Sequence, residues 1–412
     1  MGKRVRIVHV INSFAFGGAE AMLCNLLLRT DFDRFEPTVV ALIDDMSVAG
    51  PVLEAGIPLV TIGMRPGIPD PRGVARLALH LRRARPAVVQ TWMDHSNLIG
   101  GLATRLATRA KVVWGIHHSN HLPGITKRST LMTVNACARL SRRVPTRIVC
   151  CSEHAGKLYA ERGFDRDRLM IIPNGFDTGA FRPDPSARIG VRNELGLGAG
   201  ATLVGLVARY DPFKDHGNFL GAAAVVKQKF PDARFLLCGG NVDRNNAELM
   251  AKIESLGLAA HCHLLGPRKD VARIHAALDV CVSSSVSEAF PLVVGEAMSC
   301  GTPCAVTDVG DSALIVGKTG RVVPPGDSAA LGAAVIDLIA LGPEGRTRLG
   351  IDARRRVREL FDLGAVTRRY EALYTELAGD AADPDAAATG TDDVEQEGVE
   401  EEGVGAASAV RG

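Results

Sequence analysis

The stretch that decides the fold, DVCVSSSVSEAFPLVVGEAMSCGTPCAVTD, covers residues 279–308. A β-branched run leads through a serine-rich loop into the apolar run PLVVGEAMSC, and TPCAVTD follows as a second strand candidate. Pro291 suits the first position of a helix, so the stretch predicts a strand, a helix and a parallel strand. Glu288 then lies in the loop, and Glu296 lies about one and a half turns into the helix.

The same alternation of strands and helices extends along the chain in both directions. Six strand candidates precede residue 172 and six follow residue 201, with helical patterns between them. The two series are separated by IIPNGFDTGAFRPDPSARIG, which is rich in Pro, Gly and Asp. Two consecutive series of this kind predict two doubly wound parallel sheets of the α/β class. Ligands of such sheets bind at the carboxyl ends of the strands, which directs the search for a site.

Composition and charge limit the classes of protein to consider. A chain of 412 residues predicts two domains, and no run of 18 uncharged apolar residues predicts a membrane span. Residues 1–182 contain 25 Lys and Arg against 14 Asp and Glu, whereas the last 33 residues contain ten acids and one Arg. The basic half suggests an acidic substrate or surface, or simply a solubilising face. Residues 380–412 are predicted to be a disordered acidic tail, and the protein is expected to be cytoplasmic.

Two carboxylates beside a helix N-terminus need an explanation. The free amides of Leu292 and Val293 make that N-terminus an anion site, and Glu288 and Glu296 would repel an anion. A nucleotide sugar resolves the conflict because it carries both phosphates and hydroxyls. The alternative is structural: Glu288 would simply favour a helix N-terminus, and Glu296 would lie on a solvated face.

Two further patterns fall at strand ends. The strand candidate TLVGLVA is followed by Arg209 and, five residues later, by Lys214, which together could neutralise a diphosphate without a metal. Gly17 and Gly18 lie between the first strand and the first helix, where a backbone would approach a ligand closely. This pair is not the GxGxxG dinucleotide fingerprint, so a dehydrogenase is disfavoured.

Together these patterns resemble the retaining family-4 glycosyltransferases, or group 1 glycosyltransferases. The resemblance rests on GGAE, IPNGFDTGAFRPD, Arg209 with Lys214, the two glutamates eight positions apart, and GRVVPPGD. It implies the GT-B fold, in which two Rossmann-like domains face each other and the last helix returns to the first domain. The expected boundaries are residues 1–185 with the returning helix at about 362–379, and residues 186–361. Stretches such as TWMDHSNLIGGLATRLA resemble a subgroup that assembles polysaccharide and lipopolysaccharide.

The resemblance also implies roles for single residues. Arg209 and Lys214 would hold the donor diphosphate, Glu288 would contact the donor sugar, and Glu296 would contact the ribose. The other positions would contact the donor through backbone, base or sugar: Leu292, Val293, Gly17, Gly18, Arg268, and either His117 or His118. Asp94 and His95 end another strand and could reach the acceptor, or could instead cap a helix.

The expected activity is transfer of a sugar from a nucleotide-diphosphate sugar, UDP- or GDP-linked, to a glycan or lipid-linked acceptor with retention at the anomeric carbon. No metal, cofactor or nucleic acid is expected, and the partners would be the donor, the acceptor and an anionic inner-membrane surface. Two alternatives remain: a nucleotide-sugar 2-epimerase of the same fold, and an inactive nucleotide-sugar-binding protein. The sequence does not identify the base, the sugar or the acceptor.

Overall fold

The computed structural model describes residues 4–15, 17–65, 70–118, 126–198 and 200–382. The chain within these ranges forms two parallel sheets, each with helices packed against it. The last described helix extends through Ala382, a little beyond the predicted start of the tail at residue 380. The rest of the predicted tail, residues 383–412, lies outside the described residues.

The first sheet has seven parallel strands in the order β3-β2-β1-β4-β5-β6-β7. Its strands are β1 (Val5–Ile11), β2 (Phe35–Ala41), β3 (Leu59–Thr61), β4 (Val88–Trp92), β5 (Lys111–Ile116), β6 (Arg147–Cys150) and β7 (Leu169–Ile171). The helices between them are α1 (Gly18–Arg29), α2 (Gly50–Glu54), α3 (Pro71–Ala84), α4 (Asp94–Ala107), α5 (Arg128–Leu140) and α6 (Glu153–Glu161). The sequence did not predict β7, because its residues LMI include only one β-branched residue and directly precede the Pro- and Gly-rich break.

The second sheet has six parallel strands in the order β10-β9-β8-β11-β12-β13, and all six were predicted. They are β8 (Leu203–Val207), β9 (Arg234–Cys238), β10 (Cys262–Leu264), β11 (Val280–Ser283), β12 (Cys304–Thr307) and β13 (Arg321–Val323). The helices are α7 (Pro185–Glu194), α8 (His216–Lys229), α9 (Ala247–Ser255), α10 (Val271–Ala277), α11 (Leu292–Ser299), α12 (Ser312–Val316), α13 (Ser328–Ala340) and α14 (Gly342–Leu360).

Both faces of the first sheet are covered, which explains why its strands are nearly continuous apolar runs. Alternate residues of β1 point to opposite faces. Ile7 and Ile11 join one buried cluster, and Val8 and Val10 join a second cluster on the other face. The carboxyl ends of the strands are left to form a cleft, because the helices protect the faces rather than the ends.

The last helix, α15 (Leu363–Ala382), returns to the first sheet. Its buried residues Tyr370, Tyr374 and Leu377 belong to the same core cluster as Ile7. The two segments that cross between the sheets pair with each other, since the Phe176 amide donates to the Phe361 carbonyl at 2.9 Å. The predicted fold class, two doubly wound sheets with a returning helix, is confirmed.

Over the described part of the chain, none of the helices taken singly is long and apolar enough to cross a membrane. One pair, α13 and α14, meets the criteria of length and composition when the two are taken together, but they meet at a bend of 104°.

Candidate active site

The two domains meet where the strands end. A Cβ atom added to Gly18, at the start of α1, would lie 3.7 Å from Leu292 Cδ1 at the start of α11. On the same side of the molecule, the backbone amides of Glu153 and His154 donate to the Asp311 carboxylate at 2.9 and 3.0 Å. The sequence did not predict this contact, in which a carboxylate of the second domain binds the N-terminus of α6 in the first.

Glu288 and Lys214 form the centre of the site. Lys214 ends the short 3₁₀ turn after β8, and Glu288 lies in the loop between β11 and α11. The Lys214 ammonium donates to Glu288 Oε1 at 2.5 Å, and the Ser285 hydroxyl donates to the same oxygen at 2.7 Å. A lysine has three N–H donors, so this ion pair leaves donors that can bind a ligand oxygen. Ser285 was not singled out from the sequence, because it stands in an unremarkable run of three serines.

Arg209 lies beside this pair, just beyond the end of β8. Its Nε donates to Asp211 Oδ2 at 3.1 Å, and 58% of its side chain is exposed. The guanidinium is therefore largely in solvent, and it has five N–H donors of which Asp211 uses one, which suits contact with an anionic ligand.

The helix α11 starts one residue later than the sequence predicted. Pro291 is the residue before the helix, and Leu292 is its first residue. The amides of Leu292 and Val293 thus lie in the first turn, where the helix provides no carbonyl partner for them. Glu296 lies farther along the same helix with its side chain 22% exposed, and its Oε2 is 3.7 Å from Nε2 of the buried His275.

Gly17 and Gly18, at the start of α1, are required for the space that a side chain would fill rather than for an unusual backbone conformation. Gly17 has an extended φ of −169°, which other residues adopt readily. A Cβ atom on Gly17 would, however, lie 2.3 Å from Glu20 Oε2. Burial raises the pKa of the Glu20 carboxyl above its usual value, while the nearby Arg209 opposes that shift. Glu20 therefore faces the Arg209 side of the cleft, a role that the motif GGAE did not by itself reveal.

The two histidines after β5 point to different places. The His117 ring stacks on Trp92 with the ring centres 4.7 Å apart, and burial lowers its pKa to about 4. His118 meets the edge of Phe213, and burial lowers its pKa while the Glu288 carboxylate opposes the shift. The structure thus brings His118 to the centre of the site, whereas His117 packs inside the first domain.

Arg268 follows the carboxyl end of β10, which is the edge strand of the second sheet and is separated from β8 by β9. It forms ion pairs with Asp270 at 2.7 Å and with Glu194 at 2.5 Å. Its hydrogen bonds to Asp270 and then Glu194 raise the pKa of the guanidinium. The two acids together fix the orientation of the guanidinium.

Asp94 and His95, which could have reached the acceptor, contact neighbouring helices of the first domain instead. Asp94, the first residue of α4, is 5% exposed and accepts a hydrogen bond from the Tyr159 hydroxyl at 3.1 Å. Burial raises the pKa of Asp94 to about 6, although Tyr159 opposes the shift. Thr133 Oγ1 lies 3.3 Å from His95 Nδ1. Both contacts tie α4 to its neighbouring helices.

The sequence contains three Asp-x-Asp motifs, each of which could in principle offer two carboxylates to a metal ion. Asp31 and Asp165 each accept the amide of the aspartate two residues later, so both are turn residues away from the cleft. The third motif, at residues 383–385, lies outside the described residues. Among the residues that the structure describes, no group of three His, Cys, Asp or Glu side chains is arranged to hold a metal ion.

Comparisons with known proteins agree with this architecture. Residues 16–180 match the family described as Glycosyltransferase Family 4, and residues 201–340 match Glycosyl transferases group 1. The structure of HepE from Anabaena in complex with UDP-glucose superposes with a TM-score of 0.79 at 22% identity, covering 90% of this chain and 100% of that chain.

Two similar sequences have names of the same class. The putative glycosyltransferase EpsF of Bacillus subtilis (strain 168) is 25% identical over 312 residues, which cover 74% of this chain and 79% of EpsF. The D-inositol 3-phosphate glycosyltransferase of Mycobacterium sp. (strain KMS) is 32% identical over 212 residues, 50% of this chain and 47% of that protein. The chain therefore spans about half the length of this second relative.

The two parallel sheets and the returning helix form the GT-B fold, and both family models that match the chain describe glycosyltransferases. The chain belongs to the group 1 glycosyltransferases, with a family-4 domain as its first half.

Proposed function

We propose that this glycosyltransferase takes a nucleotide-diphosphate sugar as donor and retains the anomeric configuration in its product. The proposal rests on one observation: Lys214, Glu288 and the N-terminus of α11 converge opposite Gly18. A ligand there meets cations and free amides beside carboxylates, which suits a molecule that carries both phosphates and sugar hydroxyls.

The reaction breaks the bond between the anomeric carbon and the diphosphate oxygen, and forms a bond between that carbon and an acceptor hydroxyl oxygen. The acceptor proton passes to the departing diphosphate, so no separate base is needed. Arg209, Lys214 and the α11 amides stabilise the charge that develops on the diphosphate, and preorganised groups of this kind dominate such steps. Glu288 binds the sugar hydroxyls, Glu296 binds the ribose and Arg268 lies near the base.

His118, rather than His117, is the donor-side histidine in this proposal, because His118 lies beside Phe213 and in the field of Glu288. The glycines at positions 17 and 18 let the backbone of the first domain approach the donor. A UDP-linked donor is favoured by the likeness to HepE, whose structure contains UDP-glucose. Arg209, Lys214 and the N-terminus of α11, which contributes about half a positive charge, already supply positive potential. We therefore propose that the donor diphosphate is held without a metal.

The acceptor is a glycan or a lipid-linked saccharide of cell-surface polysaccharide or lipopolysaccharide assembly, and the reaction takes place at the cytoplasmic face of the membrane. The charge of the chain supports this placement, since its basic excess lies wholly in residues 1–182. Helices α3, α4 and α5 of that half also expose apolar side chains, with Leu106 79% and Met132 72% exposed. Exposed apolar and basic side chains on one half suit contact with an anionic lipid surface.

The test uses purified protein with UDP-glucose and GDP-mannose as donors. A donor present at 100 times its dissociation constant should stabilise the fold by about 2.7 kcal/mol, read as a shift in melting temperature. Slow hydrolysis of that donor without acceptor, followed by NMR, should release a sugar that first appears with the donor's own anomeric configuration, and EDTA should leave the rate unchanged.

An inverted sugar would contradict the retaining mechanism, and activity abolished by EDTA and restored by Mn²⁺ would contradict the metal-free site. Release of an epimerised nucleotide sugar would instead support the epimerase alternative.

A further inference from the structure

A buried histidine stands directly behind Glu296. His275, in the last turn of α10, is 0% exposed, and its Nε2 lies 3.7 Å from Glu296 Oε2. Neither ring nitrogen of His275 makes a hydrogen bond within the part of the chain that the structure describes. A buried polar group without a hydrogen bond costs folding free energy, and an apolar side chain in this place would avoid that cost.

The surroundings of the imidazole are otherwise mostly apolar. The ring of Phe181 lies 6.3 Å away between centres, and the titratable groups that face His275 are Cys281 of β11 and Glu296 of α11. Burial lowers the pKa of His275, but the neighbouring Cys281 sulfur and Glu296 carboxylate outweigh burial and raise it to about 9. These neighbours favour the protonated imidazole, whose Nε2 faces Glu296 Oε2 at 3.7 Å.

We propose that His275 is a positioning residue for the donor ribose. It holds Glu296 Oε2 from inside the domain, so that the other carboxylate oxygen is presented to the two ribose hydroxyls in the cleft. Glu296 can contact both His275 and a ligand, because Oε2 faces His275 while the side chain as a whole is 22% exposed. This inference rests on the proposed ribose role of Glu296.

The experiment measures the affinity of the full chain for UDP and for 2′,3′-dideoxy-UDP by calorimetry. In His275→Leu, UDP should bind roughly ten-fold more weakly, because Glu296 is no longer held in the orientation that meets the ribose, while the affinity for the dideoxy analogue stays unchanged. His275→Gln places an amide N–H near the position of Nε2 and should restore most of the preference for UDP.

Thr302→Val is the matched control. The Thr302 hydroxyl donates to the His275 carbonyl at 2.8 Å, so this variant disturbs α10 without touching the imidazole. It should lower the melting temperature and leave the preference for UDP intact. Equal weakening of both ligands in His275→Leu, or loss of the preference in Thr302→Val, would overturn the positioning role.

The experiment also distinguishes failure of the ribose role of Glu296 from failure of the positioning role of His275. If the unmutated protein binds both ligands equally, the ribose role of Glu296 fails, and the role of His275 fails with it. If the unmutated protein prefers UDP but His275→Leu does not fold, the ¹⁵N resonances of the His275 imidazole in the unmutated protein decide. They should shift on addition of UDP and much less on addition of the dideoxy analogue, and equal shifts would refute the proposal.

Discussion

Arg209 differs from the other charged side chains of the cleft in its exposure. Its side chain is 58% exposed, whereas Lys214 is 25% and Glu288 is 12% exposed. The fold gains little from a side chain that is mostly in water, and the ion pair with Asp211 is of the weak, solvent-screened kind. Replacing Arg209 should therefore lower the activity of the enzyme without lowering the stability of its fold.

We expect Arg209→Ala to lower the turnover number by about 10²–10³, the scale for removing one preorganised donor to developing charge. The melting temperature should barely move, because substitutions of exposed residues usually change stability by less than about 0.5 kcal/mol. Arg348→Ala, at an exposed position on α14, serves as the control and should retain full activity. A folded Arg209→Ala protein with normal turnover would remove Arg209 from the diphosphate site.

The buried carboxylate of Asp279 holds the helix α7 and the strands β8 and β11 together. Asp279, just before β11, accepts from Arg188 of α7 at 2.7 Å, from Arg192 of α7 at 2.6 Å and from the Leu203 amide at 2.8 Å. Arg192 is 3% exposed, so its charge depends on this partner. The network fixes the start of β11, and thereby the loop that carries Glu288.

Asp279→Asn should destabilise the protein by about 3–5 kcal/mol at pH 7, because it leaves Arg192 buried without its counter-charge. Burial raises the pKa of Asp279, but Arg188, the Leu203 amide and Arg192 outweigh burial and lower it. A lowered pKa means that the stabilisation is complete above the unfolded value of about 3.9 and is lost as the pH falls below it. The difference in melting temperature between the two proteins should therefore be constant near neutral pH and should shrink below about pH 4.

Asp352→Asn provides the comparison, since Asp352 pairs with Arg355 on the exposed surface of α14. That variant should change the melting temperature little at any pH. A difference for Asp279→Asn that persists unchanged in acid would show that the charge of Asp279 is not what stabilises the network.

The elements show what a sequence can and cannot predict. Short apolar runs, most of them rich in β-branched residues, identified twelve strands, and the position of Glu288 in a loop before a helix followed from Pro291. The strand β7 was missed because its residues LMI carry little β-branched signal and only their pairing with β6 shows them to be a strand. The contact of Lys214 with Glu288 joins residues 74 positions apart, so only the fold reveals it. The choice between His117 and His118 depends on which side chain meets Trp92, again a tertiary contact.

At the scale of the whole molecule, charge and exposed apolar side chains are unevenly distributed. The first half carries the basic excess, and its helices α3, α4 and α5 expose Leu79, Leu106 and Met132. The second half also exposes apolar side chains, such as Ile351 and Leu360 of α14, but residues 183–379 have about as many acids as bases. An anionic surface would therefore attract the first half more strongly than the second.

We expect the purified protein to sediment with vesicles that contain anionic lipid, and not with vesicles of neutral lipid alone. Binding should weaken as salt is raised, because a basic residue near an anionic surface contributes about 1 kcal/mol that salt screens. Replacing both Leu106 and Met132 with Gln should weaken binding further, because the loss of two exposed apolar side chains removes surface that can enter the lipid interface. The double variant Ile351→Gln, Leu360→Gln removes similar side chains, 60% and 52% exposed, from the other half and should bind as the unmutated protein does. Binding that ignores lipid charge and salt, or that falls equally in both double variants, would show that the basic half does not face the membrane.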